Sequence, residues 1–518
     1  MSANNTRPLL DGAQPDSPAA ADAIRGSRAA AMAPDAMVAT TSGRANDFAS
    51  LAPLWGKGQQ LAAAYADVLE GTEWPRPDQR PIVYHPRYNI SFFGLEKLHP
   101  FDAGKFGKVV AALAAQGLVE PTQLVQPKEA SLELLGQVHS QEYLYKIHHH
   151  NFTVVQVTEL AALSLLPNKL LQWRVVSPMK LHVGGTVLAA GLALERGWAI
   201  NLGGGMHHAA ADRGMGWCPF DDIVLATLRA RSALASANST APLALTSAAS
   251  ATASAAGSAS VTTLPASSAA AKESPSAAGS AAVDAPWGST SAARAAGPEA
   301  TTSGSAPGSG SGSGSSTEDL VVLVVDLDAH QGNGVERDKL HLRLSAFHIL
   351  DVYNARIFPR DEEAKPAIDI AVELVSGAGD ETYLSQLDAA LARAASELPR
   401  PGLVLYNAGT DVLQGDPLGR LGVSAAGVML RDEAVWRWAR DVARAPICML
   451  LSGGYAPQSA DVITASITNL FHKFDLGETA GGGGSEAPAI GVEPAAAGAP
   501  AGGGGPSTQE PPLNVAAV

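Results

Sequence analysis

Cysteine and charged side chains are scarce in this sequence. Its 518 residues include two cysteines, Cys218 and Cys448, and the four charged residue types make up 17% of the chain. Two cysteines this far apart provide neither a disulfide framework nor a thiolate zinc motif, which fits a reducing compartment. The low charge content comes from tracts of Ala, Ser, Gly, Thr and Pro, which bury too little apolar surface to offset the entropy of ordering.

Long apolar runs and a secretory signal are also missing. Polar residues interrupt every stretch of 18 or more residues, so we predict no membrane-spanning helix and no membrane partner. The N-terminus lacks a basic segment followed by an apolar one. Its arginines among Ala and Ser hint at an organelle transit peptide, but its aspartates argue against one, because transit peptides contain few acids.

The net charge is negative, at -14, with a pI near 5.4. An acidic protein gains little from releasing the counterions of nucleic acid, so we predict no direct nucleic-acid binding. An acidic surface would suit basic protein substrates such as Lys-rich tails, although solubility alone also accounts for the charge.

The sequence pattern predicts one domain with a long interruption. Residues 1–75 are predicted to be a disordered leader, residues 76–476 a catalytic domain, and residues 477–518 a disordered Gly/Ala/Pro tail. Within the domain, residues 232–317 form a low-complexity insertion that is also predicted to be disordered. A single split domain is favoured over two linked domains because the chemically active residues lie on both sides and complete one another, and because loop closure costs grow slowly with length.

Apolar runs alternate with helix-like stretches in the patterned sequence. The runs are 198–202, 320–325, 403–406 and 447–451, and a shorter one covers 81–84. Continuous runs of this kind are typical of buried parallel strands. The stretch from Asp380 to Glu397 begins with acids, which stabilise a helix N-terminus. The sequence therefore predicts an α/β fold with a central, largely parallel sheet flanked by helices, and a site at the carboxyl ends of the strands.

The clearest candidate for chemistry is the spacing of Asp326, Asp328 and His330. If the strand continues through them, all three side chains point to one side. Two carboxylates and an imidazole in one place need a cation, and a carboxylate with an imidazole suits zinc. The alternative is a polar strand end with solvated acids.

Three further motifs come after other apolar runs. His207 and His208 come after three glycines and suit acid/base chemistry in a pocket, because adjacent histidines project differently and do not easily share one ion. Asp411 could complete a metal site, and Tyr455 could donate to an oxyanion. By contrast, the run from His148 to His150 lacks a strand and glycine context, and we predict an ordinary surface cluster there.

Taken together in this order, the motifs resemble the histone deacetylase family, most closely its class IV branch. The segments 84–90, 94–105 and 195–201 resemble the opening part of that branch, and the resemblance covers roughly 80–230 and 318–475. It implies an arginase/deacetylase-like fold and zinc-dependent hydrolysis of Nε-acyl-lysine, that is, a histone or protein lysine deacetylase that regulates gene expression.

The resemblance also implies a role for each residue. Asp328, His330 and Asp411 would bind Zn²⁺, while His207 and His208 would face Tyr455 across the scissile carbonyl. Gly216 and Trp217 would line the substrate tunnel, with either Phe358 or Tyr353 as the opposite wall. Asp326 would orient His207 and take part in a structural K⁺ site. Asn333, where many members have an aspartate, would orient His208 and stabilise its protonated form less.

The sequence leaves several alternatives open. The enzyme could prefer long fatty acyl groups, could act on small acetylated amines, or could be a catalytically dead chromatin scaffold. Partners implied by the resemblance are acylated lysines of histones or other proteins and corepressor-type proteins, with residence in the nucleus or cytoplasm.

Overall fold

The fold is that of a computed structural model that describes residues 48–91, 94–238 and 320–477. The segments on the two sides of the larger gap belong to one compact unit. The predicted insertion from residue 239 onward and the predicted tail from residue 478 onward lie outside the described residues.

A seven-stranded parallel sheet forms the centre of this unit, with the strand order β1-β2-β7-β6-β3-β4-β5. The strands are β1 (Ile82–Val83), β2 (Trp198–Asn201), β3 (Val322–Asp326), β4 (Phe347–Asn354), β5 (Ile370–Leu374), β6 (Leu403–Asn407) and β7 (Ile447–Leu450). Strands on either side of the gap pair directly, since β2 pairs with β7. The predicted split domain with a largely parallel sheet is therefore confirmed.

Helices cover both faces of the sheet. They are α1 (Gly58–Ala64), α2 (Ala66–Leu69), α3 (Lys105–Ala115), α4 (Leu132–Leu135), α5 (Gln141–His149), α6 (Asn151–Thr158), α7 (Asn168–Leu171), α8 (Ser177–Arg196), α9 (Asp222–Asn238), α10 (Asn333–Leu342), α11 (Asp380–Glu397), α12 (Ala425–Arg437) and α13 (Ser459–Phe474). Short 3₁₀ turns occur at Phe48–Leu51, Pro86–Tyr88, Leu95–Leu98, Pro121–Gln123, Ala161–Leu165 and Lys365–Ala367, and π turns at Gln172–Val176 and Trp438–Ala443.

Two apolar clusters fill the space between sheet and helices. Helices α3, α11, α12 and α13 pack on one face, and α8 and α9 pack on the other. Burial on both faces explains why the strands read as continuous apolar runs rather than alternating ones. Strands β4 and β5 were not predicted, because β4 contains His348, Asp351 and Asn354 and β5 contains Glu373, which break up the apolar pattern.

The prediction of a disordered leader through residue 75 is wrong over residues 48–75. This segment contains α1 and α2 and packs on the α8 face, with Leu54, Leu61 and Tyr65 fully buried. Its alanine-rich composition hid a few large side chains at helical spacing, and burying those side chains is what stabilises the segment. Residues 1–47 lie outside the described residues.

The predicted start of the insertion at residue 232 is also too early. Helix α9 continues to Asn238, and Ala233 is buried in the core. A run of Ala and Ser favours helix well enough to extend one that is already anchored by Ile223, Val224 and Leu225.

The stretch Asn168–Arg196 is long and apolar enough to cross a membrane, but 89% of its most apolar window is buried within the protein. Helix α8, its main part, contacts β2 and β7 across the sheet. Packing in the core therefore accounts for its apolar character.

The buried His139 predicts a pH dependence of stability. Its Nε2 accepts from the backbone N–H of Asp221 at 3.0 Å, so its Nδ1, 3.1 Å from the carbonyl of Ala210, carries the proton and the ring is neutral. Burial lowers the pKa of His139 to about 4. The unfolded chain therefore binds more protons between pH about 6.5 and 4, and this residue makes the free energy of unfolding decrease as pH falls through that window.

We expect His139→Gln, which keeps a donor and an acceptor but cannot titrate, to unfold in urea with a shallower dependence on pH than the unsubstituted protein. The difference in slope should approach about 1.4 kcal/mol per pH unit. His150→Gln at the exposed end of α5 is the control and should leave the slope unchanged. Parallel curves for His139→Gln and the unsubstituted protein would contradict this account.

Candidate metal and catalytic site

Four neighbouring strands at the centre of the sheet deliver the predicted motifs to one place. In sheet order these strands are β2, β7, β6 and β3. The histidine pair comes after β2, Tyr455 after β7, Asp411 after β6, and Asp328 with His330 after β3. Because the strands are parallel, the loops at their carboxyl ends meet at one edge of the sheet, which is where ligands bind in such folds.

The strand does not continue through Asp328 and His330, because β3 ends at Asp326. The Asp326 carboxylate accepts from the backbone N–H of Asp328 at 3.2 Å, and the Asp328 carboxylate accepts from that of His330 at 3.0 Å. Such local side-chain bonds to the backbone compete with strand pairing and turn the chain. The turn sends the Asp326 carboxylate toward His207 and leaves Asp328 and His330 to face Asp411.

Asp328, His330 and Asp411 form a buried cluster whose ligand atoms all lie within 4.8 Å of one another. The His330 Nδ1 lies 2.7 Å from Asp411 Oδ2 and 3.1 Å from Asp328 Oδ1. Two carboxylates and one imidazole are a donor set that zinc accepts, and three protein ligands leave a further position open. The donor types, number and burial fit a catalytic zinc ion.

The titration behaviour of the cluster reflects its crowded charges. Burial, together with the charge of Asp328, raises the pKa of Asp411 to about 7. Burial alone would lower the pKa of His330, but hydrogen bonds and charges from Asp328 and Asp411 raise it to about 10. The protein thus concentrates negative charge around one imidazole, and a divalent cation would offset that charge.

Hydrogen bonds from backbone N–H groups and from a hydroxyl hold the two carboxylates in place. Asp328 Oδ2 accepts from the Ser452 hydroxyl at 3.1 Å and from the backbone N–H of Gly453 at 3.0 Å, while Asp411 Oδ1 accepts from the N–H of Ala329 at 2.8 Å. A side chain at position 453 would not fit, because its Cβ would lie 2.4 Å from Asp328 Oδ2. The glycine is therefore needed for this close approach of backbone to ligand.

Two buried cations support the same loops. Arg431 is 1% exposed and donates to the carbonyls of Leu327 and Gly409 at 3.2 and 2.5 Å. Leu327 directly precedes the ligand Asp328 in the chain, and Gly409 lies two residues before the ligand Asp411. It is paired with Asp432 at 2.8 Å. Lys105 is fully buried and donates to the carbonyls of Ser452 and Gly453, and its burial lowers its pKa to about 8.

His207 is paired with Asp326 as predicted from the sequence. Its Nδ1 lies 2.9 Å from Asp326 Oδ2. Burial alone would lower the pKa of His207, but the carboxylates of Asp326 and Asp328 outweigh it and raise the pKa to about 9. At neutral pH this imidazole therefore carries a positive charge next to the cluster.

His208 lies against Asn333, which is held in turn by a salt bridge. The His208 Nδ1 donates to Asn333 Oδ1 at 2.9 Å, and the Asn333 amide donates to Asp361 at 3.1 Å. Arg337 donates twice to that carboxylate, at 2.6 Å each. Burial and the charges of His207 and His330 hold the pKa of His208 well below its usual value. These surroundings favour the neutral form of His208, which can accept a proton.

Tyr455 is positioned by an aspartate that the sequence analysis did not single out. Asp416 Oδ2 accepts from the backbone N–H groups of Tyr455 and Ala456 at 2.7 and 3.0 Å. The Tyr455 ring lies edge-on to His330, with ring centroids 6.2 Å apart. Burial and the nearby carboxylates of Asp328 and Asp411 hold the pKa of the phenol well above its usual value, so it stays a donor.

Trp217 and Phe358 both line the cavity above the cluster. Phe358 is 46% exposed and its ring lies 5.2 Å from that of His208. Tyr353, the alternative wall, is buried and its hydroxyl donates to Glu373, so it lines no part of this cavity. Gly216 has a left-handed φ of +55°, and a Cβ there would lie 2.8 Å from the His208 ring.

The predicted monovalent cation site lies behind His207. Both Asp326 oxygens are hydrogen-bonded, one to Asn407 and the other to His207. Asp351, opposite Asp326 in the β3–β4 register, and Glu336 each keep one buried oxygen without a partner. K⁺ binding at this place stays a prediction.

The sequence did not single out Lys105, Asp416, Arg431 or Ser452, because their hydrogen-bond partners lie far away in the chain and come within reach only in the folded protein. The one feature of the sequence that could have drawn attention to Asp416 is its position directly after Gly415. Of the predicted surface cluster from His148 to His150, His149 and His150 lie exposed at the end of α5, whereas His148 is half-buried.

Comparison with known proteins identifies the family of this chain. Residues 99–237 and 316–471 match the model of the histone deacetylase domain. The chain belongs to the histone deacetylase family. Membership of a deacetylase family supports hydrolysis of an amide bond as the class of reaction.

Relatives of this protein differ in their sequence identity to it and in the share of each chain that is aligned. Histone deacetylase 2 of Arabidopsis thaliana is 38% identical over 393 residues, which cover 75% of this chain and 78% of that protein. An uncharacterized protein of Picosynechococcus is 25% identical over 74% of this chain and 94% of its own length. The solved HDA15 HD domain matches 77% of this chain and 88% of its own, at 19% identity and a TM-score of 0.46.

The buried Arg431 predicts a large loss of stability on substitution. Arg431→Met removes the partner of Asp432 and three buried hydrogen bonds, and breaking a buried ion pair typically costs about 3–5 kcal/mol. We expect a loss of this size in urea unfolding. Arg393→Met in the exposed pair with Glu397 on α11 is the control and should change stability little. A loss at Arg431 as small as at Arg393 would contradict the supporting role.

Proposed function

We propose that this histone deacetylase family member is a zinc-dependent hydrolase of Nε-acyl-lysine. The observation that supports it best is the meeting of a three-ligand cluster, a neutral histidine and a phenol at one cavity. A zinc ion bound by Asp328, His330 and Asp411 would supply Lewis-acid activation of the acyl carbonyl and of a water molecule. The class IV branch is proposed from the resemblance of the opening segments and from Asn333, because that branch is similar in having an asparagine at this position.

The chain's own residues divide the proton transfers between them. His208, held neutral, takes the proton from the attacking water and passes it to the lysine nitrogen as the amide C–N bond breaks. His207, oriented by Asp326, contributes electrostatic stabilisation or helps to shuttle the proton. Tyr455 donates to the oxyanion formed from the carbonyl oxygen. The products are a carboxylate and a free lysine side chain.

The acyl group is proposed to be short. Beneath the cluster lies a second cavity lined by apolar side chains that include Phe101, Phe106, Met179 and Met206, and its volume is about 50 Å³. Pockets that enclose larger ligands typically have volumes of about 300–1,000 Å³, so a cavity this small favours an acetyl group over a fatty chain. A long acyl chain would require the two methionines, which adapt readily, to move.

On the family resemblance alone, we propose histones or other proteins as substrates, corepressor-type proteins as partners, and the nucleus or cytoplasm as the compartment. Hydrolysis of small acetylated amines and a dead scaffold are the competing functions. A scaffold has no need of a complete set of ligands, base and phenol.

The choice of acyl group is tested by turnover of one lysine peptide that carries either acetyl or myristoyl. We expect acetyl to be removed at least as fast, because the lower cavity holds about 50 Å³. Asp328→Ala and His208→Ala are the controls and should abolish turnover of both peptides. Much faster removal of myristoyl would show that the cavity opens and that the enzyme is a defatty-acylase. Failure to cleave either peptide would favour a small-molecule substrate or a scaffold.

The oxyanion role of Tyr455 is tested by Tyr455→Phe. Removing one oxyanion donor typically lowers kcat about 100- to 1,000-fold, and we expect a loss in that range with little change in stability. Tyr145→Phe, at an exposed tyrosine on α5, is the matched control and should keep normal turnover. Near-normal activity of Tyr455→Phe would rule out the role.

A further inference from the structure

Three arginines surround the entrance to the site. The entrance is a cavity of about 410 Å³ above the metal-ligand cluster, and its lining includes Arg356, Arg360 and Arg420 beside Phe358, Trp217 and Tyr455. All three arginines are exposed. We call them the entrance arginines. They come from two separate loops, one after β4 and one after β6.

None of the entrance arginines uses its guanidinium group in a hydrogen bond or ion pair with another residue that the structure describes. The acids next to Arg360 in the chain have other partners. Asp361 and Glu363 bind Arg337, and Glu362 binds Lys365. Glu373, which is close enough to feel the charge of Arg356, has its hydrogen bonds to Lys365 and Tyr353.

The entrance therefore carries a local charge opposite to that of the whole chain. Its lining contains three guanidinium cations against one carboxylate, Glu159, which itself lies 3.8 Å from His99. The net charge of the chain is -14. A positive region on an acidic protein attracts anionic groups and repels the basic tails that the overall charge would favour.

The loops that carry the entrance arginines are anchored to the core. The Asp361 backbone N–H donates to the Gln331 side chain at 2.8 Å, directly after Arg360. The Gly377 N–H donates to the carbonyl of Arg420 at 2.9 Å. Arg360 and Arg420 both have left-handed φ values, +54° and +56°, which non-glycine residues rarely adopt without a specific reason. The charges are thus held beside the substrate path rather than on free segments.

We propose that the entrance arginines select acyl-lysines flanked by acidic residues, so that the preferred protein substrates carry Asp or Glu next to the modified lysine. Guanidinium groups bind carboxylates in a planar, two-point geometry. This proposal rests on the lysine deacylase function proposed above and narrows its substrate class. The contacts lie away from the reacting amide, so they act mainly on KM.

The test uses three peptides that carry the same acetyl-lysine, flanked at matched positions by Glu, by Ser or by Lys. With the full-length enzyme at low salt we expect kcat/KM to fall in the order Glu, Ser, Lys. Exposed ion pairs are individually weak, so the ratio between the Glu and Lys peptides should be on the order of 10-fold. The ratio should shrink at about 0.5 M salt, where exposed charges are screened.

Two triple variants complete the experiment. Arg356→Gln, Arg360→Gln and Arg420→Gln together should bring the Glu to Lys ratio close to one. The matched control combines Arg76→Gln, Arg393→Gln and Arg437→Gln, which removes the same charge from exposed arginines away from the entrance and should keep the ratio.

Turnover of all three peptides at equal rates, or a ratio that survives in the entrance variant, overturns the substrate preference alone. Absence of turnover with every peptide overturns the proposed function and this inference with it.

Discussion

Two buried carboxylates placed side by side are the constraint on which the rest of this structure depends. Asp328 and Asp411 lie on either side of one imidazole, in a place where water cannot screen their charges. Leaving such groups unpaired costs several kcal/mol each. Much of the surrounding architecture supplies what they need. Ser452 and the backbone N–H of Gly453 bind one carboxylate, while Arg431 and Lys105 bring positive charge behind the ligand loops.

The same crowding separates the roles of two adjacent histidines. His207 lies against Asp326 and holds its proton, whereas His208 lies against the neutral Asn333 and releases its proton readily. Carboxylates raise the pKa of His207, whereas burial and the charges of His207 and His330 lower the pKa of His208. The salt bridge of Asp361 with Arg337 keeps the Asn333 amide turned so that its oxygen faces His208.

The sequence was informative where function depends on the residues directly after a buried strand. Long apolar runs predicted four central strands, and polar residues just beyond them marked the site. Helix α11 was predicted with its observed bounds, because an acidic start and helical spacing coincide there. The turn at Asp326 was missed, since side-chain bonds to the backbone override strand periodicity. The packing of residues 48–75 was missed because few large side chains carry it.

The cations behind the site and at its entrance could not have been predicted from the sequence. Arg431 and Lys105 bind carbonyls of residues far away in the chain, and the three entrance arginines come together only when two loops fold over the same cavity. The net negative charge of the whole chain instead suggested basic substrates. Local charge next to the site is the better guide to what reaches it.

The most direct measurement is the zinc content of the purified protein and of variants in which a single ligand is removed. We expect about one zinc ion per chain, and we expect it to be lost in Asp328→Ala and in Asp411→Ala but retained in Asp416→Asn, which lies outside the ligand set. Zinc that stays bound after both ligand substitutions, or an active enzyme that contains no divalent metal, would contradict the account.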